Sequence, residues 1–351
     1  MGKKILAVPI RHEHVRSSTY NSVDPEMKKR VSLHNHIVFM DKWGRYLQNR
    51  SFTNKILVRM VSDGIGDVLL TTSVIPEIRK EHPTAEIIIE TNHPEVFASN
   101  TNINGTVKPN ERKREAVDRF IDLSPVNYGS YEPIPLMMSR IAKVKVENLT
   151  PQIFLSNREL DVAYKLVKPE GRTAIGFALQ MRRVNWKGRN WNHDYAEALI
   201  RHFTQNFDCE TVELGKDVKS TKAASIDLVD KTSLRELFSV IANLDFLFCI
   251  DSLALHVAQA FDVPTLALFG ATEPVARVLN WNCVVPVMNK TLSCSGCYNK
   301  KGSPAYNHCF LGIEECMLSL TPEIVFDAYE NFNVGNNMFY LQHMLRQLLW
   351  K

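Results

Sequence analysis

Residues 55–90 read KILVRMVSDGIGDVLLTTSVIPEIRKEHPTAEIIIE, and three patterns follow one another within them. KILVRMV (55–61) is an apolar run of the length of a buried strand. SDGIGD (62–67) is a turn bearing two glycines. VLLTTSVIPEIRKEH (68–82) places Val68, Leu69, Ile75 and Ile78 at helical spacing. A second β-rich run, AEIIIETN (85–92), follows His82-Pro83. Strand, turn, helix and strand make a βαβ unit, which predicts parallel strands joined by a right-handed crossover. The sheet is therefore of doubly wound type.

The second half of the chain repeats this alternation. TAIGFAL (173–179), ETVELG (210–215), DFLFCID (245–251) and PTLALFG (264–270) read as strands; DYAEALIRHF (194–203), SLRELFSVIANL (233–244) and SLALHVAQAF (252–261) read as the helices between them. Regular alternation of this kind is the pattern of an α/β parallel sheet. The expected fold class is thus α/β, with two Rossmann-like doubly wound domains facing a cleft. A length of 351 residues also suits two domains. The boundaries are expected at 51–165 for the first and 166–325 for the second, with a linker between Pro151 and Glu170. Residues 1–50 form an N-terminal extension packed on the first domain, and 326–351 a C-terminal helix that crosses back or rests on a membrane surface.

Composition narrows the functional class. With 45% hydrophobic and 23% charged residues the chain is neither disordered nor fibrous. A net charge of +4 suits phosphate-bearing ligands but falls short of a dedicated nucleic-acid binder. The opening MGKKILAVPIRHEHVRSS lacks the pattern of a secretory leader, and no stretch of about 18 apolar residues would span a bilayer, so the expected location is cytoplasmic. The His12/His14 and His34/His36 pairs have chelating spacing without supporting ligands and read as loop histidines. The charge run ERKREAVDR (111–119) reads as a solvated helix face.

Three strand ends carry candidate chemistry, because ligands of such folds bind at the carboxyl edge of the sheet. The first is the 62–67 turn. Gly66 permits close backbone approach, and Asp67 either caps its helix or projects into the cleft as a base. A dinucleotide fingerprint is excluded, since Leu69 stands where its third glycine belongs. The second runs from Asp251 and Ser252 at the turn to His256 in the following helix, where free N–H groups favour phosphate. The third, Gly270-Ala271-Thr272, offers backbone N–H groups and a hydroxyl to a diphosphate. A basic, Trp-bearing loop, RRVNWKGRNW (182–191), adds Arg189 for phosphate charge and Lys187 and Trp191 as candidates for contacting or stacking on an acceptor.

At these residues the chain resembles glycosyltransferase family 9, the ADP-heptose:lipopolysaccharide heptosyltransferase-like family of GT-B fold. The likeness lies in residues 55–87, in WKGRNWNHDYAEAL (186–199), in IDLVDKTSLREL (226–237), and most specifically in DSLALHVAQAFDVPTLALFGATEP (251–274). The last is similar to the family's Asp-Ser/Thr-Gly-x-x-His segment and its Phe-Gly-x-Thr turn, with Leu253 where the family usually has glycine. The resemblance implies that Asp67 is the catalytic base, Arg189 a phosphate contact, Asp251 and His256 the donor-binding pair, and Gly270 and Thr272 diphosphate ligands. It implies a nucleotide-sugar donor, transfer that needs no metal, and an acceptor that is a saccharide or lipopolysaccharide core. Two alternatives stay open: an acceptor that is a modified nucleic-acid base, or a catalytically silent nucleotide-sugar binder or zinc-containing interaction protein.

Seven cysteines are present, of which Cys209, Cys249 and Cys283 lie in apolar segments. The other four, Cys294, Cys297, Cys309 and Cys316, include a C-x2-C but lack a regular second pair. They read as reduced, packed thiols or as a structural zinc site, with His308 a substitute ligand.

Overall fold

The computed structural model describes residues 54–109, 111, 117–182, 187–300 and 309–335, and residues 54–351 belong to one compact unit. The extension 1–50 with its histidine pairs, most of the 111–119 charge run, Arg183 to Trp186, His308 and the 336–351 segment lie outside the described residues.

The first lobe contains β1 (Lys55–Arg59), α1 (Ile65–Leu70), α2 (Ile75–Glu81), β2 (Glu86–Glu90), β3 (Gly105–Val107), β4 (Arg119–Asp122) and α3 (Ile134–Ala142). Its four strands are parallel in the order β3-β2-β1-β4. β1 is central, which explains its unbroken apolar core of Ile56, Leu57 and Val58. The single helix expected over 68–82 is divided by a 3₁₀ turn, Thr71–Ser73. The Thr72 and Ser73 hydroxyls bond back to the carbonyls of Leu69 and Leu70 at 2.6 and 2.7 Å, and Pro76 stands in the first turn of α2.

The second lobe contains α4 (Asn157–Val167), β5 (Thr173–Ala178), α5 (His193–Asn206), β6 (Cys209–Glu213), β7 (Ile226–Asp227), α6 (Leu234–Ala242), β8 (Phe246–Ile250), α7 (Leu253–Ala260), β9 (Thr265–Phe269), β10 (Val284–Met288), α8 (Glu315–Leu318) and α9 (Pro322–Gly335). All six strands are parallel in the order β10-β9-β8-β5-β6-β7. Local chemistry starts the helices. Ser156 with Glu159 and Ser233 with Glu236 form capping boxes on α4 and α6, while the Asn192 side chain accepts from the N–H groups of Asp194 and Tyr195 on α5.

The join between lobes falls earlier than the expected boundary at 165. α4 is tied to the second lobe: Arg235 of α6 donates to the Phe154 carbonyl at 2.7 Å and to Glu159 at 2.8 Å, and buried Lys168 pairs with Asp245 at 2.7 Å. The Gln152 N–H, only two residues before Phe154, donates to Thr72 of the first lobe at 2.8 Å. The join therefore falls in the few residues before Ser156, within the linker expected between Pro151 and Glu170.

Two apolar cores result. One is continuous from the first sheet to α6 and α7 of the second lobe, and includes Val58, Leu69, Ile89, Ile241 and Leu255. The other lies on the opposite face of the second sheet, under α5 and α9, where Phe177, Phe203 and Phe248 pack together. Tyr329 and Phe332 of α9 meet Phe203 and Phe246 at 5.0 and 5.3 Å between ring centres. Within the described residues this helix packs on its own lobe and does not cross back. No helix among the described residues is long and apolar enough to cross a membrane.

Candidate active site

Both sheets reverse their strand order at the strand that starts them. In the first, the chain runs from β1 to β2 and β3 on one side and returns with β4 on the other; in the second, β6 and β7 lie on one side of β5, and β8 and β9 on the other. A crevice opens at each reversal, at the carboxyl ends of the strands. The 62–67 turn leaves β1 at the first. At the second, Arg189 follows β5 and Asp251 ends β8, so the two groups flank the same opening.

The two edges meet at Gly66. A methyl group there would come within 3.3 Å of His256 Cδ2 and 3.9 Å of the Leu253 Cα. Glycine at this position lets the start of α1 abut the start of α7, and Leu253 is accommodated against that gap.

Asp67 is the third residue of α1, and the helix is preceded by Gly64, whose N–H bonds instead to Ser62 Oγ at 3.0 Å. The Asp67 carboxylate accepts from the Ser62 hydroxyl at 3.4 Å. Its partner is thus a hydroxyl and not a backbone N–H of the helix start, so the geometry favours the base reading over the cap. Burial pushes the carboxyl up to about 6, against the opposing pull of Arg277 and then Arg189. Tyr128, on the loop after β4, is half-buried with its phenol within electrostatic reach of Asp67 and Ser62; burial, and then the Asp67 charge, raise its pKa.

Behind Asp67 lies a charge cluster that is almost wholly buried. Asp251, 1% exposed, pairs with Arg189 Nη2 at 3.1 Å and with Arg277 Nε at 3.8 Å, and accepts from Thr272 Oγ1 at 2.7 Å. Arg189 also donates to the Asp251 carbonyl. Burial works against an ionised Asp251, but Arg189 and Arg277 prevail and hold its pKa below the ordinary carboxylate value. Burial likewise lowers the Arg189 pKa, with Asp251 opposing. His256, 5% exposed, is pushed down to about 4 by burial, so its ring is neutral near pH 7.

These positions revise several sequence expectations. Asp251 and Thr272 are turned inward, where Asp251 pairs with Arg189 and Arg277 and accepts from Thr272, so that they brace the cations. The Ala271 N–H is likewise taken, by the Gly188 carbonyl at 2.9 Å, and its own carbonyl accepts from the Tyr298 N–H at 2.8 Å. Gly270 is packed among loops: a methyl group there would lie 2.6 Å from the Gly188 carbonyl and 2.7 and 2.8 Å from the sulfurs of Met317 and Cys316. His256 can serve as a hydrogen-bonding imidazole but not as a cation. Trp191 is 2% exposed, with its Nε1 donating to the Leu320 carbonyl at 2.7 Å, so it is a core residue and no stacking platform. Lys187 pairs with Glu314 at 3.5 Å on the rim of the cysteine cavity. Ser252, at the start of α7, makes no capping bond. Arg277, Tyr128 and Ser62 were not anticipated. Arg277 is a lone cation in the apolar run PVARVL, a signal readable in the sequence; Tyr128 comes from a stretch whose pattern predicts no element.

The four clustered cysteines line one cavity together with Gly188, Ala271 and Phe310. As a metal centre they fit poorly in this arrangement. Among the described residues no three His, Cys, Asp or Glu side chains are grouped to hold an ion. Cys309 Sγ donates to the Ile313 carbonyl at 3.0 Å, and burial raises the thiols of Cys297 and Cys316, the latter to about 12.

Comparison with known proteins bears on the fold. The family model of glycosyltransferase family 9 (heptosyltransferase) matches residues 150–304. Lipooligosaccharide heptosyltransferase 2 of Campylobacter jejuni serotype O:2 is 25% identical over 155 residues, covering 41% of this chain and 46% of that protein. The chain thus matches about half the length of its curated relatives. Among solved structures, ADP-heptose lipopolysaccharide heptosyltransferase II of E. coli superposes with a TM-score of 0.59 at 15% identity, over 83% of this chain and 99% of that one. A family 9 glycosyl transferase from Veillonella parvula gives 0.56 at 16% identity, over 66% and 85%. An iron-containing dodecameric glycosyltransferase from enterotoxigenic E. coli gives 0.59 at 12% identity, over 80% and 78%. The two lobes have the GT-B fold, and residues 150–304 match the model of glycosyltransferase family 9.

Proposed function

We propose that this protein is a heptosyltransferase-like glycosyltransferase that moves a sugar from a nucleotide-sugar donor to an acceptor hydroxyl. One observation carries the reading: Asp67 lies at the meeting of the two sheet edges, held by the Ser62 hydroxyl, with Arg189 and Arg277 behind it. A carboxylate tuned to about 6 is mostly ionised at neutral pH and still basic enough to take a proton as the bond forms. In the step we envisage, Asp67 takes the acceptor hydroxyl proton, the oxygen attacks the anomeric carbon, and the nucleoside diphosphate leaves with the bonding pair. Arg189 stabilises the departing charge, and Ser252 and neutral His256 donate hydrogen bonds to it. These groups supply the neutralisation themselves, so no metal is assigned a step. The cysteine cavity, packed against Gly188 and Ala271, holds the loop behind the cations.

The names of the matched proteins make ADP-heptose the first donor to try, with a saccharide or lipopolysaccharide core as acceptor. The burial of Trp191 leaves the basic loop one tryptophan fewer to stack on a nucleic-acid base. The test is a panel of ADP-, UDP- and GDP-sugars, with release of nucleoside diphosphate measured with and without candidate acceptors. ADP, UDP and GDP are tested in parallel at millimolar concentration for a rise in melting temperature. A donor that turns over, and whose nucleotide stabilises the fold, supports the proposal. If no nucleotide shifts the transition of folded protein, the donor site is misassigned; binding without turnover over a broad acceptor panel favours the silent-binder alternative.

A further inference from the structure

The lobes are joined near Asp67 by more than apolar packing. The loop following β4 turns tightly, with Asn127 Oδ1 accepting the Gly129 N–H at 3.1 Å and the Asn127 carbonyl accepting the Ser130 N–H at 3.0 Å. Two side chains of the second lobe bind the backbone of this turn. Arg277 Nη2 donates to the Tyr128 carbonyl at 3.0 Å, and Asn299 Nδ2 to the Ser130 carbonyl at 2.7 Å. Both side chains are buried, 4% and 3% exposed. Each is also anchored at home: Arg277 on the Ala276 carbonyl at 3.3 Å and on Asp251, Asn299 by accepting the Glu273 N–H at 2.8 Å. Buried donors of this kind are costly if left unmade, so they specify one register of loop against lobe. The residue between the two grips, Tyr128, is the one whose phenol is within electrostatic reach of Asp67 and Ser62.

We propose that Tyr128 is a positioning residue for Asp67, set in place by a clasp in which Arg277 and Asn299 of the second lobe grip the backbone of the first-lobe loop that carries it. The consequence is that the base is completed only when the lobes are together. If they part, the Tyr128 carbonyl loses Arg277, the loop is freed, and Asp67 loses both the phenol and the nearby guanidinium. This inference rests on the reading of Asp67 as the base.

The charged and titratable groups around Asp67 are Arg277, Arg189, Asp251 and Tyr128, with exposed Asp63 on its own turn and neutral His256 behind Gly66. A phenol donating to a carboxylate favours the ionised form, as does a neighbouring guanidinium. The titration of Asp67 therefore reads the clasp without need of an acceptor. It can be followed by carboxyl carbon NMR of protein labelled at aspartate, with the signal assigned by its loss in Asp67→Asn. Tyr128→Phe keeps the ring and the gripped carbonyl, and should move the titration upward by roughly 0.5–1 pH, while lowering transfer roughly tenfold and leaving ADP, UDP or GDP affinity unchanged. Asn299→Ala removes one grip without touching charge near Asp67, and should move the same titration in the same direction by less. Arg277→Lys retains the charge but loses the second donor, and should also lower transfer. Unchanged titration in both folded Tyr128→Phe and Asn299→Ala overturns the clasp. Wild-type transfer in Asp67→Asn would instead overturn the base, a separate result.

Discussion

Asp67→Asn should raise stability while abolishing most of the activity, and the gain should depend on pH. In the folded protein the carboxyl titrates at about 6 instead of 3.8, mainly because it is buried. The folded state therefore binds this proton more tightly than the unfolded chain does, so the contribution favours folding fully below 3.8 and is lost as pH rises through 6. The rise corresponds to about 3 kcal/mol at the top of the window. Asp67 keeps some solvent access, which brings the expected gain of the Asn variant to about 1–2 kcal/mol. Asn still accepts from the Ser62 hydroxyl, so little is lost in exchange. Thermal melts between pH 4 and 8 should show the variant more stable by on the order of 2–4 °C at pH 7.5, with the difference shrinking to nothing near pH 4. Transfer should fall by roughly 10²–10⁴-fold, the share of a general base. A variant less stable than wild type at pH 7.5, or a gain that does not fade on acidification, would refute the burial argument. Transfer within a few-fold of wild type would refute the base.

His256 gives the opposite sign. Its folded pKa of about 4 lies below the ordinary 6.5, so its contribution is intact above 6.5 and lost as pH falls towards 4; over that range His256→Gln should lose less stability than wild type, by up to about 3 kcal/mol in urea titrations. Gly270→Ala has no room for its methyl group, since backbone and two sulfurs lie within 2.8 Å of it. The fold should lose about 1–3 kcal/mol or more, read as a lower urea midpoint, and a neutral result would show that the loops behind Ala271 are loosely packed. Cys297→Ser should lower the melting temperature while leaving donor turnover of the folded protein within several-fold, and complete loss of turnover in a well-folded variant would give the cysteine cavity a direct part in the reaction.

Periodicity exposed the architecture because it is a local property. The strand-turn-helix of residues 55–82 and the alternation from 173 to 270 can be read without knowing what packs where, and the capping residues Ser156, Asn192 and Ser233 start their helices from within their own turns. Asp67 and Asp251 could be singled out for the same reason, since each follows a strand end where a parallel sheet puts its ligands. What those residues face was not legible. Trp191 and Arg189 are two positions apart in one loop, yet one is core and the other lines the crevice, because loop backbone has no fixed period to divide inward from outward.

The sequence by itself determined two parallel-sheet lobes and the strand ends at which a site must form. Only the tertiary structure decided that Asp251 and Thr272 brace Arg189 and Arg277, that Tyr128 meets Asp67, and that Arg277 and Asn299 bind the loop carrying it. Those contacts join residues separated by up to 169 positions. Their strength comes from burial, and no stretch of chain holds the information on what will be excluded from water until both lobes have folded against each other.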